Sequence, residues 1–110
     1  MRILIADDEP GTRPVIRRIL MRHFSCDVGE VDNGMDALER LDALPHTLLL
    51  LDVKMPVLNG IETLRAIRGH AGTSALPVVM MTGTTDEQVV REVVALGVSD
   101  YVIKPVRPAV

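Results

Sequence analysis

A five-stranded parallel α/β sheet is the fold this sequence predicts, and three observations carry the prediction. Apolar stretches of strand length alternate with amphipathic stretches of helical period through the whole chain, the pattern of strands joined by right-handed helical crossovers. The middle apolar stretch, Leu48 to Leu51, is four consecutive leucines, too short for a helix and uninterrupted, as in a strand buried on both faces. Finally, polar and hydroxyl residues follow these strands at their carboxyl ends, the edge where open α/β sheets place ligands.

Each element has its own signature. Arg2 to Ala6 is a short apolar strand closed by the acidic run Asp7-Asp8-Glu9, after which Pro10-Gly11-Thr12 breaks the chain. A helix is expected over Arg13 to His23, with Val15, Ile16, Ile19 and Leu20 as its apolar stripe and Arg17, Arg18 and Arg22 in solvent. Pro14 fits only in the first turn. Cys26 to Val31 alternates and suits an edge strand, and Asp32-Asn33-Gly34 turns into a helix reaching about Leu44, with Ala37, Leu38 and Leu41 inward and Pro45 as its stop. After the leucine strand, Asn59-Gly60 opens a third helix to about Arg68, with Ile61, Leu64 and Ile67 on one face. Gly69 to Ala75 is a small-residue loop, and Pro77 to Met81 a fourth strand running into Thr82-Gly83-Thr84. Thr85 with Gln88 is a capping-box signal for a fourth helix, faced by Val89, Val90, Val93 and Val94 and ending near Leu96-Gly97. β-branched residues are mediocre helix formers, so this helix is expected to be the most easily displaced. Asp100 to Ile103 is the fifth strand, ending in Lys104-Pro105.

Bulk properties exclude several classes of function. At 110 residues the chain is one domain, and its net charge of -3 argues against a nucleic-acid surface. Phe24 and Tyr101 are the only aromatics, so no base-stacking platform exists. The longest apolar runs are strand-sized, and Met1-Arg2 leads into too short an apolar run for a signal peptide, so neither membrane nor export is expected and the cytoplasm is the expected location. Cys26, the sole cysteine, reads as a small buried hydrophobe, and His23, His46 and His70 lack zinc-site spacing.

Asp7, Asp8, Asp52, Thr82 and Lys104 therefore converge on one edge of the sheet. Clustered carboxylates repel and are costly without a cation. A site of hard oxygen ligands with few protein groups suits Mg²⁺, which keeps waters and shares its shell with a phosphoryl group. A carboxylate can act as a nucleophile toward phosphorus, and a metal, an ammonium and a hydroxyl are then the groups needed to hold the phosphoryl oxygens.

With its Asp7-Asp8 pair, Asp52 followed by Met55-Pro56 and Gly60, Thr82-Gly83, and Asp100-Tyr101 before Lys104-Pro105, the chain resembles the receiver domain of two-component response regulators over Met1 to Val110. The resemblance implies a doubly wound sheet in the flavodoxin-like order 2-1-3-4-5. It implies that Asp52 is the phosphoacceptor, charged by a sensor histidine kinase or a histidine phosphotransfer protein. Asp8, Asp52 and the backbone carbonyl of Lys54 would ligate Mg²⁺ directly, and Asp7 through water. Lys104 would pair with the phosphoryl group, and the peptide before Pro105 would be cis. Thr82 would swing its hydroxyl to a phosphoryl oxygen and Tyr101 would turn inward behind it, biasing a surface read by a downstream effector or fused output domain. Lys54 and Thr84 flank the site at positions that, in the family, tune how fast water removes the phosphoryl group, and the resemblance implies a phosphoacceptor that can lose the group slowly to water rather than an enzyme.

The family continues past Pro105 into a fifth helix, whereas Val106-Arg107-Pro108-Ala109-Val110 closes this sequence where that helix would begin. The last helix is thus expected to be largely absent from a receiver domain spanning 1–110. Either the chain is a trimmed piece of a longer receiver or regulator, or it covers the bared sheet as a homodimer. Three other functions compete. A degenerate receiver serving only as an interaction module would lack phosphorylation, but the full set of five site residues argues against it. Phosphatases of the haloacid dehalogenase type need a second Asp two residues after the nucleophile, where this chain has Lys54. Flavin binding needs a phosphate cradle of bare amides after the first strand, where this chain is acidic.

Overall fold

The computed structural model describes residues 1–83 and 87–104. Nine elements follow in order: β1 (Arg2–Ala6), α1 (Thr12–His23), β2 (Asp27–Val31), α2 (Gly34–Ala43), β3 (Leu48–Asp52), α3 (Gly60–Gly69), β4 (Val78–Thr82), α4 (Glu87–Leu96) and β5 (Asp100–Ile103). The strands form one parallel sheet in the order β2-β1-β3-β4-β5, as the resemblance implied. The expectations placed on Thr84, on the Thr85 cap, on the peptide before Pro105 and on the fifth helix lie outside the described residues.

Side chains alternate across the sheet, and the two faces build two apolar layers. Leu4, Ala6, Leu49, Leu51, Val78 and Met80 point to one face and meet Ala37 and Leu41 of α2, Leu64 and Ile67 of α3, and Val93 of α4. Ile3, Ile5, Leu50 and Met81 point to the other and meet Ile16 and Leu20 of α1. The leucine run is explained by this arrangement, because β3 lies at the centre of the sheet between β1 and β4 with a helical layer on each side.

Local chemistry sets the helix starts. Asn33 accepts from the Asp36 N–H at 2.9 Å at the head of α2. Asn59 and Glu62 form a reciprocal capping box on α3, with Glu62 N–H donating to Asn59 at 2.9 Å and Asn59 N–H donating to Glu62 at 3.0 Å. Three sequence expectations need correction. Arg17 is drawn to the edge strand rather than left to solvent, donating from Nη1 to the Val28 carbonyl and to Glu30, each at 3.1 Å. Val94 shares the valine stripe of α4 but is exposed, so Val93 is the buried anchor of that helix, with Val89 beside it partly covered. Cys26 is half-buried against the α1-side layer rather than fully enclosed.

Candidate functional site

Strand register brings the charged residues together. Ala6 pairs with Leu51, so Asp7, one step beyond β1, arrives beside Asp52, the last residue of β3. Neighbouring strands lie about 4.8 Å apart, which forces two buried carboxylates into one edge. Asp52 pairs with Met81 and Thr82 with Ile103, so Thr82 and Lys104 fall on the same edge from the far side. Lys104 N–H donates to the Thr82 carbonyl at 2.8 Å, extending the ladder one residue past β5.

Asp7 is fully buried, Asp52 is 3% exposed and Thr82 is 1% exposed, whereas Asp8 and Glu9 face solvent. Lys104 reaches across the opening. Its Nζ lies 2.7 Å from Glu9 Oε1, 2.8 Å from Asp7 Oδ2 and 3.1 Å from Asp52 Oδ2. The contacts to Glu9 and Asp52 are directed hydrogen bonds. The approach to Asp7 Oδ2 is ionic only, leaving that buried oxygen without a well-directed donor. The other Asp7 oxygen accepts the Glu9 N–H at 2.9 Å, which folds the acidic run back over the strand end.

The electrostatics follow from burial. Desolvation pushes the Asp52 carboxyl up to about 6, helped by the neighbouring Asp7 charge and opposed by Lys104. Burial alone would lower the Lys104 ammonium, but Asp7, Glu9 and Asp52 outweigh it and raise the group above its ordinary range. Lys104 also holds the Glu9 carboxyl below its usual value.

One oxygen each from Asp7, Asp8, Glu9 and Asp52 lies within 4.8 Å of the others. This all-oxygen donor set, with a buried Asp7 oxygen lacking a directed partner, fits a small hard cation. Lys54 lies two residues past Asp52 in the β3–α3 loop, with its side chain exposed. Tyr101 is half-buried in β5 against the layer beneath α2, α3 and α4.

Two positioning features went unread in the sequence. Glu9 belongs to the cluster, and its signal was present as the third member of the acidic run. Arg13 grips the acidic turn from α1, donating from Nη1 to the Asp7 carbonyl at 2.6 Å while its Nε pairs with Glu30 at 3.3 Å. No local spacing could reveal that contact, because Glu30 lies on the edge strand.

The loop after Asp52 is tightly constrained. Gly60 N–H donates to the Val53 carbonyl at 2.8 Å, and a Cβ at Gly60 would fall on the Asp52 carbonyl, so only glycine permits α3 to start this close to the site. Val57 has φ +69°, and Leu58 N–H donates across it to the Pro56 carbonyl at 2.7 Å. This is a γ-turn of the strained, positive-φ kind, centred on a β-branched residue whose side chain is 79% exposed and recovers nothing by burial. Val57→Asn should therefore stabilise the domain by about 1 kcal/mol, read as a raised urea midpoint at unchanged m-value. An unchanged or lowered midpoint would show that the turn is not strained.

Asp52, nearly out of solvent at the end of the central strand, is flanked by carboxylates able to hold a cation and bridged to Asp7 by Lys104, an arrangement that matches the receiver class the sequence resembles. The response regulator receiver domain model matches residues 3–110, and the chain belongs to that family. It is 32% identical over 111 residues to the chemotaxis protein CheY1 of Helicobacter pylori, an alignment covering all of this chain and 90% of that protein. Among solved structures, it is similar to the chemotaxis response regulator CheY4 of Vibrio cholerae, with TM-score 0.89 and 26% identity over 97% of this chain and 88% of that one. It is also similar to the receiver domain of a sensor histidine kinase from Pseudomonas aeruginosa PAO1, solved with magnesium in its active-site cleft, with TM-score 0.84 and 25% identity over 96% of this chain and 86% of that one. The protein is thus a CheY-like receiver of two-component signalling. Among the described residues, no helix is long and apolar enough to cross a membrane.

Proposed function

We propose that Asp52 is the residue phosphorylated, and that residues 1–110 act as one receiver unit taking phosphoryl from a histidine kinase or phosphotransfer protein. The single observation that carries this reading is the triple contact of Lys104 Nζ with Asp7, Glu9 and Asp52, which holds an ammonium over the Asp52 carboxylate. Asp52 attacks phosphorus, and an O–P bond forms as the N–P bond of the phosphohistidine breaks. The electron pair of that bond returns to the imidazole, which leaves neutral because its other nitrogen carries a proton. Asp8, Asp52 and the Lys54 carbonyl would hold Mg²⁺ directly and Asp7 through water, and Mg²⁺ bound there would neutralise carboxylate and phosphoryl oxygens together. Lys104 moves a donor onto a phosphoryl oxygen, and Thr82, at the adjacent strand end, supplies its hydroxyl to another. Tyr101 then follows Thr82 inward, changing the α4–β5 surface offered to an effector. Thr82 is nearly out of solvent and Tyr101 half-buried, which supports this coupling. Water removes the phosphoryl group slowly.

Intact-mass spectrometry after treatment with acetyl phosphate and Mg²⁺ tests the reading. The expected result is one phosphoryl adduct that requires Mg²⁺ and is missing in Asp52→Asn. A folded wild-type chain that forms no adduct, or a mutant that forms it equally, would overturn the assignment.

A further inference from the structure

Lys104 sits among carboxylates in the resting site, with directed hydrogen bonds to Glu9 and Asp52 and an ionic contact to Asp7. An ammonium has three N–H donors, and three carboxylates lie within 3.1 Å of this one. Two of them, Asp7 and Asp52, are buried parts of the strand ends. The shortest contact is the third, to Glu9, whose side chain is 59% exposed and stands at the mouth of the site. Glu9 is positioned from both ends: its N–H is bound to Asp7 Oδ1, and its carbonyl accepts the Thr12 N–H at 3.1 Å. Its second carboxylate oxygen faces the Thr12 hydroxyl at 3.4 Å. For Lys104 to take a phosphoryl oxygen, it must release a carboxylate, and Glu9 is the partner that can swing into water.

We propose that Glu9 is a latch on Lys104, a positioning residue that competes with the incoming phosphoryl group for the ammonium and so sets how readily the site admits a phosphodonor. This rests on the reading of Asp52 as phosphoacceptor. The latch acts on donor binding: each arriving dianion displaces one charge-assisted hydrogen bond already made inside the site. Repulsion between the Glu9 carboxylate and the donor acts in the same direction, but does not depend on the reach of the side chain.

Two variants separate reach from charge. Glu9→Gln removes the charge; Glu9→Asp keeps it but is one methylene too short to hold Lys104 from the same backbone. Adduct formation by mass spectrometry, followed over a range of acetyl phosphate concentrations in Mg²⁺, reads half-saturation and maximal rate separately. In this reaction the P–O bond of acetyl phosphate breaks, acetate leaves with the electron pair, and the Asp52 O–P bond forms. Both variants should lower the half-saturating donor concentration by about threefold to tenfold while the maximal rate changes less. Mg²⁺ affinity of Glu9→Asp, which keeps the carboxylate in the acidic cluster, measured by calorimetry without donor, should stay within about twofold of wild type, since the latch acts on Lys104 and not on the metal. If Glu9→Asp behaves as wild type while Glu9→Gln does not, charge alone acts and the latch is wrong. A marked loss of Mg²⁺ affinity in Glu9→Gln would make Glu9 a metal ligand instead. Wild-type kinetics in both variants would sink the latch alone, whereas a wild-type chain with no adduct would sink the phosphoacceptor reading and the latch with it.

Discussion

Lys104→Met should destabilise the metal-free domain at pH 7.5 by about 3–5 kcal/mol, the cost of stripping the partner from a buried charge cluster. The side chain is 10% exposed and contacts Asp7, which is fully buried, and Asp52, almost so. Methionine fills comparable volume, so the loss comes from the two carboxylates left facing each other and not from a cavity. It should therefore shrink when pH is lowered to 5, because protonating one carboxyl removes the repulsion. It should also shrink on adding Mg²⁺, which binds the folded site and not the unfolded chain. Urea unfolding at both pH values, with and without Mg²⁺, checks this. A loss of equal size under all four conditions would mean that Lys104 stabilises by packing rather than by charge.

Asp52→Asn should act in the opposite direction. The folded-state value of about 6 stands above the 3.8 of an unperturbed aspartate, so between these limits the folded protein binds more protons than the unfolded chain. The penalty for ionised Asp52 is thus fully present above pH 6 and fades as pH falls toward 4, giving a metal-free wild type that gains stability over that window. About two pKa units correspond to an upper limit of about 3 kcal/mol. Asparagine carries no such penalty, so the variant should be more stable than wild type at pH 7.5 and show a flatter pH profile between 4 and 7. Lys104 is protonated throughout this range and adds nothing to the slope. Thermal unfolding of metal-free protein should show the variant melting several degrees higher at pH 7.5, with the gap closing near pH 4. A variant that melts lower at pH 7.5 would show that the Lys104–Asp52 contact outweighs desolvation.

Much of this protein is determined by sequence alone, because the signals are local. Four leucines in a row require a strand covered on both faces, and β3 lies at the sheet centre with a helical layer on each side. The alternation of strands and helices dictates parallel crossovers, and these send Asp7, Asp52, Thr82 and Lys104 to one edge. The Asn33 and Asn59 caps depend on neighbours no more than three residues away.

The tertiary structure decided what depends on register and on contacts between distant elements. Arg17 looked solvent-facing from helical periodicity, yet β2 lies within reach of its guanidinium and supplies acceptors. Val94 matched the apolar stripe of α4, but at 61% exposure it falls outside the contact that buries Val93. The acidic run after β1 announced a charged site without showing which of its members Lys104 would hold. Glu9 makes the shortest contact because Asp7 accepts its N–H and turns the chain back across the mouth of the site. Residue types and spacing assembled the chemical groups, while the folded backbone set the distances, and those distances decide which carboxylate is buried, which is free to move and which one the lysine must leave.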